Sequence, residues 1–369
     1  TINADHPYVQ SIIVDSLDHL HNNIGFDGFR FDLASILGRH AHGFSTSHPL
    51  LDSISNDPRL QTAKLIAEPW DPGPSGYQLG HFPKRWAEWN DRYRDAVRRF
   101  WRGDDGLSGA LARRLHGSSD IFESSGRTPH ASVNLITAHD GYTLADVVAF
   151  EKRHNHANGE DNADGHRHNF SRNYGVEGDT DDQEILNLRR RQRLNMLATL
   201  LLSQGTPMLL AGDEFGHSQA GNNNAYAQDN ETTWLNWGLI EEDPGFLDDV
   251  KKLIHLRRST PLLRIDQHVH GSDEDSAIRF EWINAAGAMK QSEEWAGSRA
   301  FTVFIAQGAQ AAAIVINGLE AAMDVRLPEP ERHWSVAFTS SELPNDDVPT
   351  GVLPMQGYSI ALLLSGDPV

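Results

Sequence analysis

Short apolar runs alternate with helical periodicities through the first 260 residues, and this alternation restricts the chain to a parallel α/β architecture. Between Asp5 and Asn23 the apolar positions Val9, Ile12, Ile13, Leu17 and Leu20 recur at intervals of three and four, with Pro7 suited to a first helical turn. A strand is expected over about 26–31. A second helical stretch near 50–56 leads into KLIAE, 64–68, which Pro69 closes as a buried strand entering a loop. RWAEWN (85–90) reads as a strand before a helix at 91–101, SVNLITA (132–138) as a strand, 184–203 as a helix and PMLLA (207–211) as the fifth strand. A helix over about 246–259 ends the series.

After Pro261 the pattern changes to segments of β propensity, FTVFIA, AAIVIN, WSVAFT and YSIALLL, separated by Gly, Pro and Asn turns. The expected organisation is therefore an α/β unit over 1–262 and an antiparallel β-sandwich over 263–369. No internal repeat or low-complexity tract is present.

Composition excludes several classes of function. Lys and Arg number 32 against 51 Asp and Glu, a formal net charge of −19, which opposes binding to nucleic acid or to an anionic membrane surface. With no cysteine there is no disulfide framework, thiolate metal site or cysteine nucleophile, and the count fits a reducing cytoplasm. No run of about 18 apolar residues stands in the sequence, and the first residues lack the basic and apolar regions of a signal peptide. GxSxG, P-loop and GxGxxG motifs are missing between strand and helix, which leaves serine-hydrolase and nucleotide chemistry unsupported.

Three acidic residues fall at or just past the ends of expected parallel strands: Asp32, Glu68 and Asp140, the last preceded by His139. In parallel sheets and barrels the carboxyl ends of the strands are where reacting groups collect. Taken singly, each could be a helix cap or a local ion pair, as Arg30 with Asp32. Burying three carboxylates at equivalent places costs several kcal/mol unless something offsets it, however, so the recurrence calls for a reason. Two carboxyls facing one space are what glycosidic cleavage requires: one attacks the anomeric carbon or activates water, and the other, with a raised pKa, protonates the leaving oxygen. Arg30 would keep Asp32 ionised, while Pro69 and Trp70 give Glu68 apolar surroundings that favour its protonated form.

The same segments resemble a known family. DGFRFDLA (27–34), LIAEPWD (65–71) and NLITAHDG (134–141) are similar to the second, third and fourth signature regions of the α-amylase superfamily, glycoside hydrolase family thirteen. Further stretches, SGYQLGHFP (75–83), AEWNDRYRDAVRRFW (87–101), HNHANGEDN (154–162), the run 200–230 and TWLNW (233–237), resemble bacterial glycogen debranching enzymes of the GlgX type, relatives of isoamylase. The resemblance covers about residues 1–260 and is weaker beyond. It implies a (β/α)₈ barrel with a retaining mechanism, Asp32 as nucleophile, Glu68 as general acid/base and Asp140 as the third carboxylate gripping sugar hydroxyls. It also implies that Arg30 orients Asp32, that His139 binds the same sugar, and that the substrate is an α-glucan cut at α-1,6 branches without cofactor or metal. Isoamylase-like or α-1,4-acting chemistry, or an inactive α-glucan-binding fragment, are the alternatives.

Trp70, Tyr77, Trp234 and Trp237 could stack on glucose rings, or could be ordinary packing residues. His154, His156, His166 and His168 lack metal-ligand spacing and read as part of a polar loop over 154–182, of the length that usually lines a site. EDNADG (160–165) imitates the start of a calcium loop, but Ser171 occupies the twelfth position where Glu is needed. RRRQR (189–193) reads as a solvated helix face.

The superfamily's first signature region has no counterpart in this sequence. The expectation is accordingly a barrel present only from about strand four to strand eight, a C-terminal piece of a longer protein with an open edge at its first strand. Little or no activity is expected from the piece alone.

Overall fold

The computed structural model describes residues 2–273, 277–343 and 351–366. Its first part is a five-stranded parallel sheet of β1 (Gly28–Phe31), β2 (Lys64–Ala67), β3 (Ala87–Asn90), β4 (Ser132–Leu135) and β5 (Thr206–Met208). The strands lie in sequence order, each hydrogen-bonded to the next, as in an arc of a singly wound barrel. β1 and β3 start later than the runs that announce them, whereas β2, β4 and β5 end earlier, where the chain turns out towards the site. SVNLITA, for example, stops pairing at Leu135.

Helices that flank the sheet include α1 (Pro7–Asp18), α2 (Pro49–Asn56), α3 (Asp91–Arg102), α4 (Gln183–Leu202) and α5 (Pro244–Ser259). Their starts are chemically specified. The His6 and His48 rings accept from Tyr8 N–H and Leu50 N–H ahead of α1 and α2, Asn90 caps α3 through Tyr93 N–H, and Asp182 caps α4 through Glu184 and Ile185. The helix expected over 5–23 is α-helical only to Asp18. It widens into a π-turn over His19–Ile24, which Gly25 ends at φ +95°.

The second part is a six-stranded antiparallel sheet. Its strands β6 (Gly271–Asp273), β7 (Ile278–Ile283), β8 (Ala300–Gln307), β9 (Gln310–Asn317), β11 (Ser335–Thr339) and β13 (Ser359–Ser365) are ordered β11-β13-β9-β8-β7-β6. β10 (Met323–Arg326) and β12 (Val352–Met355) form a separate ribbon. The expected sandwich is therefore lopsided among the described residues, with a two-stranded ribbon in place of a full second sheet.

Alternation along β8 explains the arrangement. Phe301, Val303 and Ile305 join one core with Val97, Phe100 and Trp101 of α3, Leu197 and Leu201 of α4 and Val250 and Leu253 of α5. Phe304 and Ala306 turn the other way, onto Val325, Leu327, Leu353 and Met355. Both faces are covered, so FTVFIA is apolar at every position but Thr302 instead of alternating. One continuous core thus joins the α/β unit to the β-sheet.

A separate cluster packs α1 and α2 on Leu65, Ala67, Phe82 and Trp86. β1 forms one edge of the parallel sheet and is only half-buried along its length. In the same N-terminal part Ile2, Ile12, Ile24 and Phe26 stand 47–60% exposed. Among the described residues no helix is long and apolar enough to cross a membrane.

Candidate active site

Strand register gathers the sequence candidates. β1 and β2 pair Arg30 with Ile66 and Phe31 with Ala67, so Asp32 and Glu68 are the next opposed positions. Side chains alternate across a strand, which puts Arg30, Asp32, Glu68, Trp89 and Leu135 on one face and Phe31, Ala67 and Glu88 on the helix side. The two-residue interval between Arg30 and Asp32 thus has a geometric reason.

Glu68 is buried at 6% exposure, and Asp32, with a side chain 71% exposed, stands beside it. Leu33 adopts the left-handed conformation, φ +43°, a position that a branched residue holds only when its surroundings enforce it. In that geometry its N–H donates to Glu68 Oε2 at 2.8 Å, and the next N–H, from Ala34, donates to the Glu68 carbonyl at 2.9 Å. The turn after β1 is folded over Glu68.

Arg30 links the carboxyls. Its Nη1 donates to Asp32 Oδ1 at 2.8 Å, its Nη2 lies 3.1 Å from Glu68 Oε2, and its guanidinium sits 4.2 Å above the Trp89 ring. The contact to Glu68 is an ion pair without hydrogen-bond alignment, since Nη2 has no aligned acceptor. Burial raises the Glu68 pKa above the ordinary carboxyl value, and the neighbouring Asp32 raises it further, against the opposing pull of Leu33 N–H and Arg30.

Glu68 lines a cleft of about 230 Å³ with Trp70, Trp89, Asp91, Arg94, His139, Asp140 and His166. Asp140 and His139 are more than half exposed, 3.5 Å apart, and the His139 ring meets Trp89 edge-on at 5.8 Å. Tyr77 is tied to the cleft through its hydroxyl, which donates to Asp91 Oδ1 at 2.7 Å. Trp234 and Trp237 do not line it. They are 59% and 64% exposed, the first bonded to Asp229 and the second against Phe215, so neither exposed ring is placed beside the carboxyls.

Trp89, Asp91 and Arg94 are cleft residues that sequence reasoning did not single out. For Trp89 the signal was available: counting by two along AEWN puts the ring on the Glu68 face, opposite to Glu88. The four loop histidines are not gathered; His166 lines the cleft, whereas His154 pairs with Glu177 at 3.1 Å. Asn162 and Asp164 of the calcium-like stretch serve the loop itself, accepting from Asn155 N–H and from the Asn158 and Asn224 amides. The RRRQR segment is not a solvated face. Arg189 and Gln192 are buried, and Arg189 donates to the carbonyls of Asn173, Val176 and Gly178, anchoring the long loop on α4.

Asp5, His40 and His48 form a cluster of metal-ligand type, with His40 Nδ1 and His48 Nε2 at 2.6 and 3.1 Å from Asp5 Oδ1. Because His48 Nδ1 accepts the Leu50 N–H, its Nε2 carries the proton and donates to Asp5. The cluster is a satisfied hydrogen-bonded clasp without a free lone pair at His48.

The chain is similar to known proteins over most of its length. The chain is 45% identical over 343 residues to the glycogen debranching enzyme of Serratia proteamaculans (strain 568), covering 93% of the chain and 50% of that enzyme. To that of Pectobacterium atrosepticum it is 47% identical over 336 residues, 91% of the chain and 49% of the enzyme. The chain is similar to bacterial glycogen debranching enzymes. It is also 46% identical over 298 residues to the glycogen operon protein GlgX homolog of Mycobacterium bovis, covering 80% of the chain and 41% of that protein. The chain spans about half the length of the curated relatives it matches. No family model matches it. Among solved structures, the pullulanase of Anoxybacillus sp. LM18-11 complexed with maltotetraose superposes with a TM-score of 0.69 at 22% identity, over 99% of this chain and 47% of the pullulanase. The pullulanase from Bacillus acidopullulyticus gives 0.71 at 18%, over 99% and 41%. These likenesses concern the fold, a partial barrel followed by a β-domain.

Proposed function

We propose that the cleft is the catalytic centre of a glycoside hydrolase that cuts α-1,6 branches of glycogen or limit dextrin with retention. The observation that carries this reading is the unequal pair at adjacent strand ends, a buried Glu68 with a raised pKa beside an exposed Asp32 held by Arg30. In the first step an Asp32 oxygen bonds to the anomeric carbon while the bond to the leaving oxygen breaks and Glu68 transfers its proton to that oxygen. In the second, water attacks the anomeric carbon, Glu68 takes the proton of that water, and the bond to Asp32 breaks. Asp140 and His139, open to solvent on the far wall, bind sugar hydroxyls, Arg30 aims Asp32, and Trp70 and Tyr77 supply ring surfaces. The names of the relatives support α-glucan as the substrate class, and the absence of cysteine fits a cytoplasmic setting.

The test is incubation with phosphorylase limit dextrin, using the chain alone and joined to the preceding half of the Serratia enzyme, with short linear oligosaccharides as the readout. Product from the joined form is expected; intact dextrin after incubation with a folded joined form would refute the assignment. The same assay fixes the pH dependence. Glu68 must be protonated at the start, so kcat/KM is expected to fall on the alkaline side at a pH above the ordinary Glu value, in the direction of its raised pKa. An alkaline limb at or below the ordinary Glu value would remove Glu68 from the acid role.

A further inference from the structure

Two hubs lie behind the cleft without lining it. Asp213 is 1% exposed in the turn after β5. One of its carboxyl oxygens accepts the Thr137 hydroxyl, and the other accepts the Leu144 N–H at 2.9 Å. Those donors sit at the two ends of the turn 137–144, whose middle carries His139 and Asp140. Asn223, also 1% exposed, completes the support. Its carbonyl accepts Gly141 N–H at 3.1 Å, and its amide donates to the His166 carbonyl and to Asn169 Oδ1, both at 2.9 Å. Arg98 closes the back of the turn by donating to the carbonyls of Ile136 and Asn169 at 2.8 and 2.9 Å.

We propose that Asp213 is a positioning residue: it staples the turn 137–144 so that His139 and Asp140 share one cleft with Glu68, and Asn223 extends the same support to His166. The inference rests on the glucan reading of the cleft. A buried carboxylate facing Arg98 and Arg193, with Glu214 opposing, is a costly way to join two backbone segments. Thr137, Leu144 and Asp213 are all buried at 2% exposure or less, so water cannot replace any of the three groups, and the turn is over-determined where the sugar has to be gripped.

The experiment uses the whole 369-residue chain with maltotetraose as the probe, read by hydrogen exchange and by calorimetric binding. In Asp213→Ala the Gly141 and Leu144 amides are expected to exchange at least about tenfold faster, with β4 and α4 unchanged, and maltotetraose affinity to drop about tenfold. Asp213→Asn keeps an acceptor for Leu144 and offers a donor to the Thr137 oxygen, so binding should recover to within about threefold of the parent. Unchanged exchange at 141 and 144, or unchanged affinity despite faster exchange, overturns the proposal. An equal rise in exchange across β4 and α4 in a folded variant overturns it as well, as a merely structural role. Should Asp213→Ala fail to fold, Thr137→Val removes one donor at constant shape and is expected to reproduce the local exchange and the affinity loss. A parent that binds no maltotetraose counts against the glucan reading alone, and the exchange at 141 and 144 then decides the staple.

Discussion

Asp32→Asn and Glu68→Gln, each placed in the joined form, are expected to lower oligosaccharide release from limit dextrin by about 10²–10⁴-fold or more. The two losses have different chemistry, and a substrate with a good leaving group separates them. An α-glucosyl fluoride needs no proton on its leaving group, so Glu68→Gln should still form the covalent intermediate and release fluoride in a burst. Asp32→Asn has no nucleophile and should release none. A burst from Asp32→Asn, or undiminished limit-dextrin turnover in either variant, would overturn this division of labour between the two carboxyls. Folding should not confuse the result. Glu68 is held against a burial cost that raises its pKa, so the neutral Gln is expected to melt no lower than the parent at pH 7.5.

The largest stability effect is expected at the pair Glu88–Arg127. Both side chains are fully buried. The Glu88 carboxylate also accepts Gly80 N–H at 2.6 Å and Phe82 N–H at 3.3 Å, and Arg127 donates to the Gly80 carbonyl at 2.6 Å and lies 4.7 Å over the Phe122 ring. Arg127→Ala leaves a buried carboxylate without its cation, which costs about 3–5 kcal/mol and is measurable as a shift in the urea midpoint. The pH dependence has a definite sign. Burial already raises the Glu88 pKa, against the pull of Arg127, and removing Arg127 raises it more. A carboxyl whose folded pKa exceeds its unfolded one favours the fold when protonated, so this stability is full below the unfolded value near 4.5 and is lost as pH rises towards the folded one. Arg127→Ala should therefore be far less destabilised at pH 5 than at pH 8, and adding Glu88→Gln should restore much of the loss at pH 8. Equal losses at both pH values would mean that the damage is packing around Phe122 and not an orphaned charge.

Legibility followed physical range. α1, α2 and β2 are announced by local periodicity, and α1 and β2 also by Pro7 and Pro69, because apolar spacing and fixed φ act within a few residues. Asp32, Glu68 and Asp140 stood out because carboxylates recur at neighbouring strand ends; the expected cost of burial falls on Glu68 alone, since Asp32 and Asp140 are open to solvent. What stayed hidden depends on distant partners. Nothing around Asp213 in AGDEFG announces that its partners are Thr137 and Leu144, some 70 residues earlier. Arg189 sits in a cationic run that reads as surface until the loop carbonyls it serves come into view. Trp234 and Trp237 show the converse, since composition marks an aromatic but only the fold says which ring reaches the cleft. The second sheet reduced to a ribbon is the same lesson on a larger scale: both faces of β8 are apolar, and the sequence does not tell which face meets helices.

The core that runs from α3, α4 and α5 into Phe301, Val303 and Ile305 has a thermodynamic consequence. Neither side of it can melt alone without exposing apolar surface belonging to the other, so the two parts are expected to unfold in a single calorimetric transition. Conditions that loosen the β-sheet then reach Trp101 and Tyr93 of α3, and through α3 the end of β3 where Trp89 supports Arg30. The integrity of the β-sheet and the support of Arg30 at the cleft are, in this molecule, two readings of one cooperative equilibrium.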